Sequence, residues 1–291
     1  MRRRPWAIAL AAALLAAAAV APAPRADEAG RRLLERYAPA VVGVEAVMRA
    51  EMRMGGESQE QEGKVELVGA VVDPGGLIMV WNSSISTSRL QEMLAATAGP
   101  NGGDFGIRME PVSFHVVRPG SDERHAAFLA ASDSQLDVAF LQLEPPPAEP
   151  LPAISFAEVG EVAVGQRLYA VTRLGASFDR AAHYAPLEVV GMLTKPRRGW
   201  ILAGDQGALG QPVFDDAGRP VGVLATVIST VPRDAGLFPW SGGTFGESGR
   251  NAGPVGVFLL PGAAVGRAIE LSKERARELL EERREAAEGE G

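Results

Sequence analysis

The chain contains no cysteine. This excludes disulfides, a lipid-modified cysteine anchor and a thiolate nucleophile. Histidine is scarce: His115, His125 and His183 are the full set, and their spacing matches no zinc motif. Basic residues are outnumbered, with 29 Lys and Arg against 36 Asp and Glu and a formal charge of −7. An acidic protein of this kind is a poor candidate for nucleic-acid binding. No internal repeat is present, and no cofactor motif is found.

What is present fits an ordinary globular protein of 291 residues, 46% hydrophobic and 22% charged. Glycine (34) and proline (21) are plentiful, which suits many short strands joined by turns. Residues 1–26 stand apart from this pattern. Arg2, Arg3 and Arg4 precede an Ala- and Leu-rich run, and a small, Pro-containing stretch follows. The segment reads as an export signal peptide, with an uncleaved membrane anchor as the alternative. Either reading places the rest of the chain outside the cytoplasm, in the periplasm or beyond, with membrane proximity if the segment is retained. Removing the segment takes away four arginines and no acid, so the remainder is more acidic still.

Strand patterns dominate from there on. A short helix over 29–37 leads into a β-branched run at 40–48, and a polar stretch at 51–64 reads as a hairpin tip or loop. Strand patterns follow at 65–72 and 77–81, separated by the turn Asp73-Pro74-Gly75-Gly76. Residues 88–98 have helical spacing. Further strands are expected at 111–117, 125–131 and 138–143, then a Pro-rich linker at 145–152. A second series runs at 167–173, 185–193, 199–203, 213–214, 221–228 and 255–260, interrupted by a Gly- and Pro-containing loop at 230–253. Residues 262–287 have helical spacing and end in a charged run, read as a solvated helix end. The division expected is 1–26, first strand domain 27–144, linker 145–152, second strand domain 153–262 and helix 263–291.

Six segments in order carry a family resemblance. They are Tyr37-Ala38-Pro39-Ala40-Val41-Val42-Gly43-Val44, Val72-Asp73-Pro74-Gly75-Gly76-Leu77-Ile78, Asp133-Ser134-Gln135-Leu136-Asp137-Val138-Ala139, Leu151-Pro152-Ala153 with Val164-Gly165-Gln166, Gly207-Ala208-Leu209-Gly210-Gln211-Pro212-Val213, and Gly256-Val257-Phe258-Leu259-Leu260-Pro261. Together they resemble the HtrA (Deg) branch of the chymotrypsin-like serine proteases. The resemblance implies an all-β fold, two antiparallel six-stranded β-barrels, with a C-terminal α-helix. It places a cleft between the barrels that carries a Ser–His–Asp triad and an oxyanion loop.

Carried over residue by residue, two triad positions are changed. Ser83 takes the histidine slot, or Ser84 if the alignment slips by one. Asp137 matches the aspartate, and Leu209 takes the place of the nucleophilic serine. Gly207 and Gly210 keep the glycine frame of the oxyanion loop, while Gln211 replaces a second glycine. Such a change distorts the loop if the position needs a left-handed backbone. Asp205 is a candidate for lining a specificity pocket.

Other candidates have simpler readings. Asp137 without a histidine reads as a carboxylate bonded to backbone N–H groups, and Asp133 with Asp137 as a turn rather than a paired-acid site. Residues 83–88 read as a solvated turn and helix cap, and Asp215-Asp216 as a hairpin turn. Trp200, Trp240 and Phe245 read as local packing, with peptide anchoring as the sharper alternative.

The expectation is an exported, catalytically inactive relative of the proteases that binds peptide or protein. The family's PDZ domain has no counterpart in the sequence. The alternatives are an active endopeptidase with relocated groups and a structural subunit of an envelope assembly. Homo-oligomerisation is left open.

Overall fold

The computed structural model describes residues 27–54, 57–86, 105–121, 123–195, 197–228 and 255–289. The N-terminal apolar segment, the 88–98 insertion and the 230–253 loop, with Trp240 and Phe245, lie outside them. The order begins with helix α1 (Glu28–Tyr37), then strands β1 (Val41–Met54), β2 (Glu57–Asp73), β3 (Leu77–Trp81), β4 (Phe105–Val117), β5 (Arg124–Asp133) and β6 (Val138–Leu143). A second set follows: β7 (Arg167–Arg173), β8 (Ala182–Leu193), β9 (Gly199–Gly204), β10 (Pro212–Phe214), β11 (Pro220–Ile228) and β12 (Val255–Pro261). Helix α2 (Gly262–Gly289) ends the fold.

Each set of six closes on itself as an antiparallel barrel, in the order β1-β2-β3-β6-β5-β4 and β10-β11-β12-β9-β8-β7. This is the chymotrypsin-like double barrel. Period-two alternation explains how the barrels stack. In β6 every residue is buried. Ala139, Leu141 and Leu143 join the interior core of the first barrel, while Val138 and Phe140 point the other way into a core between the barrels. That inter-barrel core also holds Leu33 and Tyr37 of α1, Tyr169 and Val171 of β7, Phe214 of β10, and Val265 and Ile269 of α2. A third core fills the second barrel, around Leu168, Leu187, Val213 and Leu224. Trp200 belongs to it and is buried, so it is a packing residue.

Tyr37 is the pin of the inter-barrel layer. Its ring stacks on Phe214 at 4.2 Å between centroids, and its hydroxyl donates to the Gly218 carbonyl at 2.6 Å. Burial pushes the phenol's pKa up, and it does the same at Tyr169, whose hydroxyl donates to Asp27.

The polar stretch at 51–64, expected as a hairpin tip or loop, is the far end of a hairpin, and its strands run longer than the sequence pattern implies. β1 and β2 pair continuously from Val41↔Ala70 out to Met54↔Glu57. β4 runs along the other side of β1 from Gly43↔Val117 to Met54↔Phe105. The reason is cross-strand bonding that composition does not register: Arg49 pairs with Glu62 at 2.8 Å, and Ser58 donates to Glu51 at 2.9 Å. Between β6 and β7 the Leu151 N–H donates to the Pro74 carbonyl at 3.0 Å and the Ile154 N–H to the Val71 carbonyl at 2.8 Å, which holds this stretch against the first barrel. The charged end of α2, residues 281–289, is exposed throughout. Although α2 leaves the second barrel, it lies against the first. Lys273 meets Asp73 at 3.0 Å, Arg283 meets Glu144 at 2.7 Å, and the Arg283 guanidinium sits 4.9 Å over the Phe128 ring. Arg283 holds the Glu144 carboxyl below its usual pKa.

Two outcomes follow for stability. Tyr37→Phe should cost about 1–2 kcal/mol for the lost hydrogen bond, and Tyr37→Ala about 3–5 kcal/mol, both read from urea unfolding curves. Because the two phenols titrate higher when folded, the unfolded chain loses its protons first. Stability is therefore intact below about pH 10 and falls as pH rises beyond it. A Tyr37→Phe, Tyr169→Phe double variant should show a flatter alkaline limb in the same measurement.

Candidate functional site

Between the barrels the ends of β3, β6 and β11 converge on one carboxylate. Asp137 opens β6 with a left-handed backbone, φ 57°, a conformation that aspartate tolerates better than most residues. Its side chain is fully buried. Oδ1 accepts from the Ser83 backbone N–H at 3.0 Å and from the Ser83 hydroxyl at 2.6 Å. Oδ2 accepts from the Trp81 indole N–H at 2.8 Å, from the Thr226 N–H at 3.2 Å, and from the Thr226 hydroxyl. The Asp137 carbonyl accepts from Asn82 N–H at 3.0 Å. No cation is among these partners. Both carboxylate oxygens are met by hydrogen-bond donors, as burial of a polar group requires.

Residues 82–84 form a single 3-10 turn after β3. The reading of 83–84 as part of a solvated turn is therefore corrected. Ser83 is bonded to Asp137, and the Ser84 hydroxyl donates back to the Trp81 carbonyl. Both are partly buried. Position 88, proposed as a helix cap, lies outside the described residues.

The loop before β10 closes the site from the second barrel. Gly210 has φ 73°, and a Cβ there would stand 2.6 Å from the Trp81 backbone. Both torsion and space demand glycine, and the contact joins the two barrels directly. Gly210 N–H donates to the Leu224 carbonyl at 2.7 Å. Gln211 is not in the left-handed region, so its side chain brings no backbone strain. It is buried and spans to the first barrel, donating to the Val68 carbonyl at 2.8 Å. Leu209 is partly buried and packs against the interior core of the second barrel.

Asp205 is exposed and folds back on its own loop, its Oδ1 accepting from the Gly207 N–H at 2.9 Å. In the resemblance, that N–H is one of the groups facing a developing oxyanion. Here a carboxylate in cis occupies it.

The histidines lie elsewhere. His115 pairs with Glu45 and Ala126 in the first barrel, and His125 pairs with Val116. His125 stands 3.8 Å from Glu123. His183 pairs with Thr172 in the second barrel. None bonds Ser83, Ser84 or Asp137. Asp133 caps its turn by accepting from the Gln135 and Leu136 N–H groups, rather than facing Asp137. Asp215 is buried in the β10–β11 turn, where it accepts from the Arg219 N–H at 2.8 Å and pairs with its guanidinium. Among the described residues no group of three or more His, Asp or Glu is arranged to hold a metal.

The structure thus places Ser83 and Asp137 in contact, with Gly210 of the 207–211 loop against the Trp81 backbone beside them. Thr226 and the Trp81 indole are the additions. Neither carries a local signal: Thr226 lies inside an apolar strand, and only the closure of the second barrel brings it to Asp137.

The family model described as "Trypsin-like peptidase domain" matches residues 68–223. Among solved structures, the MamO protease domain from Magnetospirillum magneticum, in its apo form, is similar at 19% identity. The match covers 79% of this chain and 95% of that one, with a TM-score of 0.44. No curated protein matches significantly.

Asp137→Ala should strip five donors of their acceptor at once and cost at least about 3 kcal/mol, since each bond to a charged group is worth about 1.5–3 kcal/mol. Chemical denaturation measures this. Loss of under about 1 kcal/mol would mean the site does not bind the barrels together.

Proposed function

We propose that this chain, which belongs to the trypsin-like peptidase domain family, is an exported pseudoprotease that holds peptide or protein segments in the cell envelope without cleaving them. The observation that carries the reading is the Ser83–Asp137 hydrogen bond at 2.6 Å. A working triad needs an imidazole between carboxylate and nucleophile. Here a hydroxyl takes the imidazole's position on the carboxylate, and the nucleophile's slot holds Leu209, which has no nucleophilic atom.

The alternative, an endopeptidase with relocated groups, needs a free hydroxyl and a base. The Ser83 and Ser84 hydroxyls are committed to Asp137 and the Trp81 carbonyl. Asp137 in turn already accepts from Trp81, Ser83 and Thr226. The Asp205 carboxylate on Gly207 N–H also opposes an oxyanion at that point.

Binding has its own support. Beyond the barrel wall β2, β1 and β4 continue as a three-stranded ribbon with β1 in the middle. β3 joins β2 only from Gly69 onward, and β5 joins β4 only from Phe114. Among the described residues, the outer edges of β2 before Gly69 and of β4 before Phe114 are therefore unpaired. Such edges accept an added strand. Pro111 and the bulge at Val47/Met48 interrupt the β4 side, which limits self-pairing. Export rests on the character of residues 1–26. Among the described residues no helix is long and apolar enough to cross a membrane.

The purified mature chain should take no label from a fluorophosphonate probe and leave unfolded casein intact. Covalent labelling of any serine, or cleavage that tracks with the protein, would overturn the inactive reading. Hydrogen exchange with unfolded casein present should slow amides within 57–68 or 105–113. Unchanged exchange there would remove strand addition as the mode of binding.

A further inference from the structure

Two hollows meet at the turn after β4. The first, of about 330 Å³, is lined by Pro39, Val42, Val71, Ile78, Val116 and Leu151. Val42, Val71, Ile78 and Val116 belong to the interior core of the first barrel. The hollow is therefore that barrel's mouth, a usual place for a small ligand. It lies at the Leu77 end of β3, away from the Trp81 end that contacts Asp137. The second hollow, of about 260 Å³, is lined by Gly43, Arg118, Arg173, Asp179 and Arg180 among others. Arg118, Pro119 and Ser121 line both. The two adjoin there, the first mostly apolar and the second lined by arginines together with Asp179.

The three rim arginines are not equivalent. Arg180 is paired, donating to Glu45 at 3.0 Å and standing 3.1 Å from Glu66. Gly43 makes room for it, since a Cβ there would lie 2.8 Å from the Arg180 Nε. Arg173 meets only backbone carbonyls, those of Val41, Ala38 and Arg180, at 2.6, 2.6 and 2.9 Å. Burial holds its pKa below the usual value. Arg118 has Glu123 at 3.8 Å as its acid and a side chain 41% exposed, and among the described residues its buried Nε has no hydrogen-bond partner. Asp179 also lines the rim. The rim's charges are thus largely matched, and what it offers a ligand is the Arg118 Nε–H, a buried donor that one carboxylate oxygen can satisfy.

We propose that this space binds a small apolar monocarboxylate, with its tail in the mouth of the first barrel and its carboxylate on Arg118, backed by Arg173. The site is independent of the peptide-binding reading. Octanoate is the probe, titrated calorimetrically into the purified full-length chain, with octanamide as the neutral control and acetate as the tail-less one. Octanoate should saturate a single site and bind at least about 10-fold more tightly than octanamide, a difference of about 1.4 kcal/mol. Arg118→Gln should erase that preference with an unchanged melting temperature. Leu151→Trp, which narrows the mouth from its partly exposed strap, tests the apolar half separately and should weaken octanoate at least about 10-fold. Equal binding of octanoate and octanamide, preference surviving in Arg118→Gln, or no saturable binding at all would overturn the proposal. Acetate matching octanoate would mean a bare anion site, and a peptide ending in leucine binding about 10-fold more tightly would reassign the space to a chain terminus; either overturns it.

Discussion

The buried carboxylate of Asp137 is where the two barrels become one molecule. A single charge taken out of water has to be met by donors, and no one element of the chain supplies enough of them. Trp81 and Ser83 come from the end of β3, while Thr226 comes from β11 on the other barrel. Gly210 lets the second barrel's loop rest on the Trp81 backbone, and Gln211 reaches across to Val68. These contacts hold the halves together, and Ser83 bonds the aspartate directly through both its backbone N–H and its hydroxyl.

Around that point the apolar layers divide the work. Each barrel has its own interior, and a third layer between them is sealed by α1 and α2. Helix α2 issues from the second barrel and is fastened to the first through Lys273 and Arg283. Exposed ion pairs of this kind are individually weak. Their contribution is to fix where the helix lies once Val265, Ile269 and Ala276 are buried. Closed barrels hide their edges, and among the described residues the β2-β1-β4 ribbon is where edges stay unpaired.

Much of this was legible in the residues. The strand cores were readable because β-branched and apolar runs alternate with turn residues, and the ordered motifs were enough to set the double barrel. The ends of elements were less readable. Residues 51–64 are polar, yet β1 and β2 run through them, because strand pairing depends on the neighbouring strand and not on local composition. The exposed tail of α2 was legible, but the pairing of Lys273 with Asp73 and of Arg283 with Glu144 was not, because the partners lie far away in sequence.

By itself the sequence determined what chemistry the chain lacks. No cysteine, no histidine at the position before the 82–84 turn's end, and leucine for the nucleophile are matters of residue identity, and no fold can change them. It also determined the family frame, since glycines and β-branched runs at fixed intervals dictate local backbone. Only the tertiary structure decided what the remaining groups do. The donors to Asp137, the Asp205 carboxylate on Gly207 and the unpaired Arg118 Nε over an apolar mouth are properties of through-space distance. Hydrogen bonds and charges act over a few ångströms, and only barrel closure brings such residues that near.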